Sequence, residues 1–296
     1  MEVNSRVHLE SLFNNAPEGQ SRVDWHDFDL LLIKAQWGEL ALSEWGAQVL
    51  WYRPAGHRPV LWTTDSPAAK PKALRGGVPI CWPWFGDHPT DAFLPAHGVA
   101  RTAQWEISRK EMDDTSLFIE LSPQEMPLWN TVELGLQIQA SATALTLMLT
   151  SRNRGAADVE VSQALHSYLA ISSRSKVEVT SLDGNKYADK LAGFDEFTQQ
   201  GPLIFDQPVD RIYQSESAVL LRDEGWQRVL EVDKLASGST VVWNPGEAGA
   251  SIGDIGQRQY DQFVCFEAAR TRQYDRQRLA PNESITLGTS LRVRSL

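Results

Sequence analysis

A chain of 296 residues in which 42% are hydrophobic and 22% are charged can bury a large core, and that balance excludes a disordered or fibrous polypeptide. The net charge of −10 comes without any lysine- or arginine-rich stripe, which argues against a nucleic-acid partner, because binding a phosphate backbone needs a basic face. A small phosphorylated ligand stays open, since two or three convergent arginines can dominate a pocket whatever the distant surface carries.

Residues 1–27 read as a polar N-terminal arm: Asn14-Asn15-Ala16-Pro17-Glu18-Gly19 is turn chemistry, with at most a short helix before it. Glu2, Arg6, His8 and Glu10 precede any apolar run, so no secretory segment is expected, and no window reaches the ~18 apolar residues of a membrane helix. Cys81 and Cys265 are the only cysteines, too few for a disulfide framework, and read as buried thiols of a reducing compartment. A cytoplasmic protein with no membrane partner is the expectation.

From residue 28 the hydrophobic period is two. Leu30–Ile33, Leu40–Leu42 and Val49–Tyr52 are short apolar runs separated by Gly38, Gly46 and the turn between Pro54 and Pro59, which predicts an antiparallel meander. Further strands are predicted at 104–108, 117–121, 131–139, 145–151, 159–171, 177–180, 219–222, 228–232, 240–243, 262–268 and 284–293. Helical periodicity is scarce and no linker composition splits the chain, so residues 28–296 are expected to form a single all-β domain, a large antiparallel sandwich.

Between the meander and the later strands lies a stretch of another kind, Arg75-Gly76-Gly77-Val78-Pro79-Ile80-Cys81-Trp82-Pro83-Trp84-Phe85-Gly86, followed by Pro95-Ala96-His97-Gly98-Val99-Ala100-Arg101. The glycines allow positive φ or close backbone approach and the prolines deny a regular ladder, so this is a shaped loop. Its aromatic faces could carry a sugar ring, but for each of them packing is the commoner use.

Two strand-borne polar residues stand out. Alternation over Gln163–Ile171 puts Ala164, His166, Tyr168 and Ala170 on one face and Leu165, Leu169 and Ile171 on the other, aiming a histidine away from the aliphatic set. A lone strand histidine is more often structural than catalytic. Alternation over Asp261–Ala269 puts Phe263, Cys265 and Glu267 on one face and Val264, Phe266 and Ala268 on the other, so a carboxylate stands on a face that looks buried. Such a glutamate is either paired or raised in pKa until it serves as a base near neutral pH.

Other constellations carry less. Asp210-Arg211-Ile212-Tyr213 reads as a turn with a surface ion pair, and Trp243-Asn244-Pro245-Gly246 as a turn. Asp87, His88, Asp91 and His97 match no closed metal site, and the glycines at 246, 249, 253 and 256 do not spell a dinucleotide fingerprint. Neither a metal nor an organic cofactor is expected.

Taken in order, Arg75-Gly76-Gly77-Val78-Pro79 with Trp82–Gly86, His97–Arg101, Leu165–Tyr168, Asp210–Tyr213, Trp243–Pro245 and Val264–Glu267 resemble the hexose-6-phosphate mutarotases, the glucose-6-phosphate 1-epimerase branch of the aldose 1-epimerase superfamily. The resemblance implies a galactose-mutarotase-like β-supersandwich that interconverts the anomers of a hexose 6-phosphate without a cofactor. It implies His166 as general acid and Glu267 as general base, Arg75 and Arg101 as ligands of the substrate and its phosphate, and Asp210 as a ligand of sugar hydroxyls. His97 is expected to line the pocket rather than move protons. Ala96 departs from relatives that place a substrate-contacting glutamine there. A monomer is expected. The alternatives are an epimerase of unphosphorylated aldoses and a non-catalytic sugar-phosphate-binding or regulatory protein.

Overall fold

The computed structural model of the chain describes residues 8–126 and 129–296. It opens with a helix, α1 (Leu9–Asn14), and a four-stranded antiparallel meander of β1 (Gly19–Trp25), β2 (Phe28–Ala35), β3 (Gly38–Ser43) and β4 (Gln48–Pro54). The shaped loop contributes β5 (Ile80–Cys81), and a second meander follows as β6 (Trp105–Met112), β7 (Ser116–Pro123), β8 (Val132–Ser141) and β9 (Leu145–Asn153). Next come β10 (Val159–Val161), β11 (Gln163–Ala170), β12 (Val177–Val179), β13 (Lys186–Asp189), β14 (Asp195–Thr198), β15 (Leu203–Ile204) and β16 (Val209–Gln214). The chain closes with β17 (Val219–Asp223), β18 (Arg228–Leu235), β19 (Ser239–Asn244), β20 (Phe263–Arg270), β21 (Gln277–Leu279) and β22 (Ser284–Ser295).

Two large sheets dominate. One has nine strands in the order β15-β12-β17-β18-β22-β9-β8-β7-β6, the other seven in the order β14-β13-β16-β19-β20-β11-β5. Leu165 and Leu169 of β11 and Val264, Phe266 and Ala268 of β20 share one buried cluster with Leu147, Leu149, Leu230, Leu287 and Leu291 of the nine-stranded sheet. Alternation therefore sends the other face of β11 and β20 away from this core, and that face carries His166 and Glu267.

The predicted strands from residue 28 onward all correspond to observed ones, with two differences. The run 159–171 is broken at Ser162: β10 pairs with β21, whereas β11 pairs with β20 and β5. Asp210–Tyr213 is not a turn but the body of β16, inside the seven-stranded sheet. The described part of the N-terminal arm is also structured. Phe13 of α1 is buried and stacks on Trp51 at 6.0 Å, and β1 pairs along its whole length with β2.

Candidate active site

Strand register builds the floor of the site. His166, Glu267, Val241 and Ile212 stand side by side across β11, β20, β19 and β16, and the neighbouring row is Tyr168, Cys265, Trp243 and Asp210. Apart from Cys265, every one of these side chains lines a cavity of about 510 Å³.

His166 and Glu267 face each other directly, Nε2 to Oε1, at 3.1 Å. Both are buried, Glu267 to 1% exposure, and among the described residues neither the second carboxyl oxygen nor His166 Nδ1 has a hydrogen-bond partner. Tyr168 stacks on the imidazole at 4.7 Å, nearly parallel, while the rings of His97 and Trp243 meet it edge-on. Burial pushes Glu267 well above the ordinary carboxylate range, and Asp210 adds to this while Lys190 and Arg101 oppose it. Burial, with help from His97, Arg101 and Arg75, holds His166 well below the ordinary imidazole range. Burial therefore favours a neutral pair that keeps one proton between a carboxyl and an imidazole.

The shaped loop forms the wall on the β11 side. Backbone N–H groups of His166 and Tyr168 donate to the carbonyls of Pro79 and Gly77, seating the loop along the free edge of β11. Gly77 has φ +61°, and a Cβ there would lie 2.0 Å from the carbonyl oxygen of Val49; Gly98 at φ +74° meets the carbonyl of Trp82 equally closely. Only glycine lets the backbones come so near. Arg75 pairs with Asp254 at 2.8 Å and donates to the Tyr168 hydroxyl at 3.2 Å. Arg101 donates to the carbonyl of Ala96 at 2.7 Å. On the opposite wall Lys190, in the turn between β13 and β14, pairs with Asp210 at 3.3 Å.

All six residues singled out in the sequence, Arg75, His97, Arg101, His166, Asp210 and Glu267, line this one cavity. His97 has φ +66°, accepts the Gly86 N–H on Nδ1 at 3.4 Å, and is lowered to a pKa of about 3, chiefly by burial and then by Arg101 and Lys190. It is neutral at any ordinary pH, which fits a wall residue better than a proton donor. Of the loop aromatics, Phe85 lines the cavity, whereas Trp82 and Trp84 are buried with their indole N–H groups on Ser151 Oγ and the carbonyl of Pro95. His88 packs edge-on against Trp84. Sequence reasoning missed Lys190, Asp254 and Arg272. None lies on a predicted strand; Lys190 and Asp254 reach the site only through the fold, while Arg272 follows β20 directly but stands beyond its regular alternation.

Residues 29–292 match the Aldose 1-epimerase family. A protein of Escherichia coli K12 provisionally named glucose-6-phosphate 1-epimerase is 30% identical over 92% of this chain and 93% of its own length. A relative from Salmonella typhimurium with the same provisional name is 30% identical over 83% of this chain and 85% of its own. Among solved structures, a provisionally assigned mutarotase from Salmonella typhimurium superimposes with a TM-score of 0.89 at 27% identity, covering 98% of this chain and all of that one. The galactose 1-epimerase of Lactobacillus acidophilus shares the fold, with a TM-score of 0.69 at 14% identity over 94% of this chain and 99% of its own. The fold is thus the galactose-mutarotase-like antiparallel β-sandwich, and the chain belongs to the aldose 1-epimerase family of isomerases.

Proposed function

We propose that this protein interconverts the α and β anomers of a hexose 6-phosphate, with glucose 6-phosphate the first candidate, by acid/base-catalysed opening and closing of the sugar ring. The observation that carries the reading is the contact between Glu267 and His166 at the floor of a cavity whose walls bear Arg75, Arg101 and Lys190. The names of the relatives support the choice of substrate.

In the forward step the Glu267 carboxylate takes the proton of the C1 hydroxyl while protonated His166 gives its proton to the ring oxygen. The C1–O5 bond breaks, leaving an open-chain aldehyde, a carboxylic acid and a neutral imidazole. Rotation about C1–C2 presents the other face of the carbonyl; His166 then withdraws the proton from the C5 hydroxyl as that oxygen attacks C1, and Glu267 returns its proton to O1. Atoms and charges balance, and no co-reactant is needed. The neutral pair favoured by burial has the same protonation as the pair beside the open-chain intermediate. A dianionic phosphate would offset the arginine field that depresses His166, so substrate entry itself favours the imidazolium needed for ring opening.

Arg101 and its neighbours hold the phosphate by charge-assisted bonds, and Asp210 accepts from sugar hydroxyls. Two-dimensional exchange NMR of glucose 6-phosphate, galactose 6-phosphate and glucose, with and without protein, tests the substrate. Enhanced exchange of a phosphorylated hexose well beyond that of glucose is the expected result. Equal enhancement of glucose would make the protein an epimerase of free aldoses, and tight binding without enhancement would make it a binding protein.

A further inference from the structure

Four cationic side chains line the cavity, but they are not equally available to an anion. Arg75 is already held by Asp254 at 2.8 Å and Lys190 by Asp210 at 3.3 Å. Arg101 and Arg272 are different: among the described residues neither has a carboxylate within ion-pair distance. Each is steadied by a backbone carbonyl instead, Arg101 by Ala96 at 2.7 Å and Arg272 by Asp87 at 3.2 Å. A carbonyl fixes a guanidinium without cancelling its charge, and the remaining N–H groups stay free for a planar, two-pronged contact with phosphoryl oxygens.

Place in the fold supports the same conclusion. Arg272 stands just beyond the end of β20, the strand that carries Glu267, and is flanked in the cavity wall by Thr271 and Gln273. Thr271 is buried and tied down, its N–H on Asp275 and its hydroxyl on Ser239, so the turn bearing Arg272 has a fixed root. Asp87, which accepts from Arg272 on its carbonyl, directly follows the shaped loop, and Phe85 nearby lines the same cavity and is anchored by its N–H on Ser162 Oγ.

We propose that Arg272 is a substrate-contacting residue which, with Arg101, takes the phosphoryl oxygens of a hexose 6-phosphate, leaving Arg75 to serve the sugar and to orient Tyr168. This rests on the phosphate reading given above and assigns the anion to the cations whose charge is uncompensated. Lys190 is thereby a partner of Asp210 rather than of the phosphate.

The test measures kcat/KM for glucose 6-phosphate and for glucose on the wild type, Arg272→Ala and Arg272→Lys, with the melting temperature of each variant taken with and without inorganic phosphate. The wild type should prefer the phosphorylated sugar, and Arg272→Ala should lower that preference about tenfold or more, mainly through KM, as expected for loss of a charge-assisted contact. Arg272→Lys should recover part of it, and inorganic phosphate should raise the melting temperature of the wild type more than that of Arg272→Ala. An Arg272→Ala variant that melts like the wild type without phosphate and keeps the full preference overturns the assignment of Arg272 alone. A wild type without any preference for the phosphorylated sugar overturns the phosphate reading itself.

Discussion

Glu267 is costly where it stands. A carboxyl with 1% exposure and, among the described residues, one oxygen without a hydrogen-bond partner is destabilising when charged, and the proposed mechanism gives that cost a use. The folded protein keeps the Glu267 proton above the ordinary value of 4.5, whereas the unfolded chain releases it there, so this residue makes folding less favourable as pH rises through that value. Glu267→Gln is therefore expected to melt above the wild type at neutral pH, with the gap closing as pH falls toward 4.5, a comparison that thermal scans across pH check directly. His166 acts in the opposite sense: the folded state holds it neutral, so its contribution is present above the ordinary 6.5 and is lost as pH falls below that value, where the unfolded chain takes up a proton. For activity the pair must hold one proton, so the rate profile should be bell-shaped with limbs belonging to the pair. Both residues were legible from alternation alone as polar groups on otherwise apolar strands. Their partnership came only from the family resemblance, because about a hundred residues separate them and register is invisible in composition.

At the scale of elements, the pairing of β11 with β20 sets the contact between His166 and Glu267, since a one-residue slip of either strand would turn one of the two side chains into the core. The shaped loop helps to fix that register by hydrogen-bonding to His166 and Tyr168 on the other edge of β11. Gly77→Ala should therefore destabilise the protein by at least about 1–2 kcal/mol, the cost of a left-handed non-glycine residue, with the clash at Val49 adding to it. Urea unfolding measures this, and exchange activity should fall with it. The hairpin of β13 and β14 supplies Lys190, whose charge both holds Asp210 and opposes the burial of Glu267. Lys190→Met should move the acid limb of the activity profile to higher pH, because Asp210 then faces Glu267 without its cation, and Lys190→Arg should restore it. An unmoved limb would reduce Lys190 to a surface contact. The long strands with regular alternation could be read from sequence; β13 through β16 could not, because β15 has only two residues, the others are short and carry charged side chains, and β14 is an exposed edge. The same reason hid β1, whose alternation of Arg22, Val23, Asp24 and Trp25 is a half-exposed strand rather than a polar arm.

The whole molecule is acidic, with a net charge of −10, yet its cavity gathers Arg75, Arg101, Lys190 and Arg272 around three carboxylates. Under the proposed function, attraction of a phosphorylated sugar comes from these near charges, against a repulsive distant surface. Salt between about 0.05 and 0.5 M should therefore raise KM for glucose 6-phosphate while leaving KM for glucose nearly constant, provided the rim arginines stay open to solvent. Steady-state measurement of both sugars across that range checks it. The sandwich itself was legible as a sequence of strands with scarce helical periodicity, but which sheet each strand joined was not, since β11 and β20 become neighbours only after the chain between them has passed through β12, β15, β17 and β18 of the other sheet.

The central claim is that one carboxyl and one imidazole shuttle a proton between the two oxygens on C1. Its most direct test is anomer exchange of glucose 6-phosphate, followed by NMR, in the wild type, Glu267→Gln, His166→Ala and the double variant, each shown to be folded. Each single change should cost about 10²–10⁴-fold in rate, and the double variant should lose little more than the worse single one, as expected of groups that act as a unit. Near-wild-type exchange in either folded single variant would contradict the account.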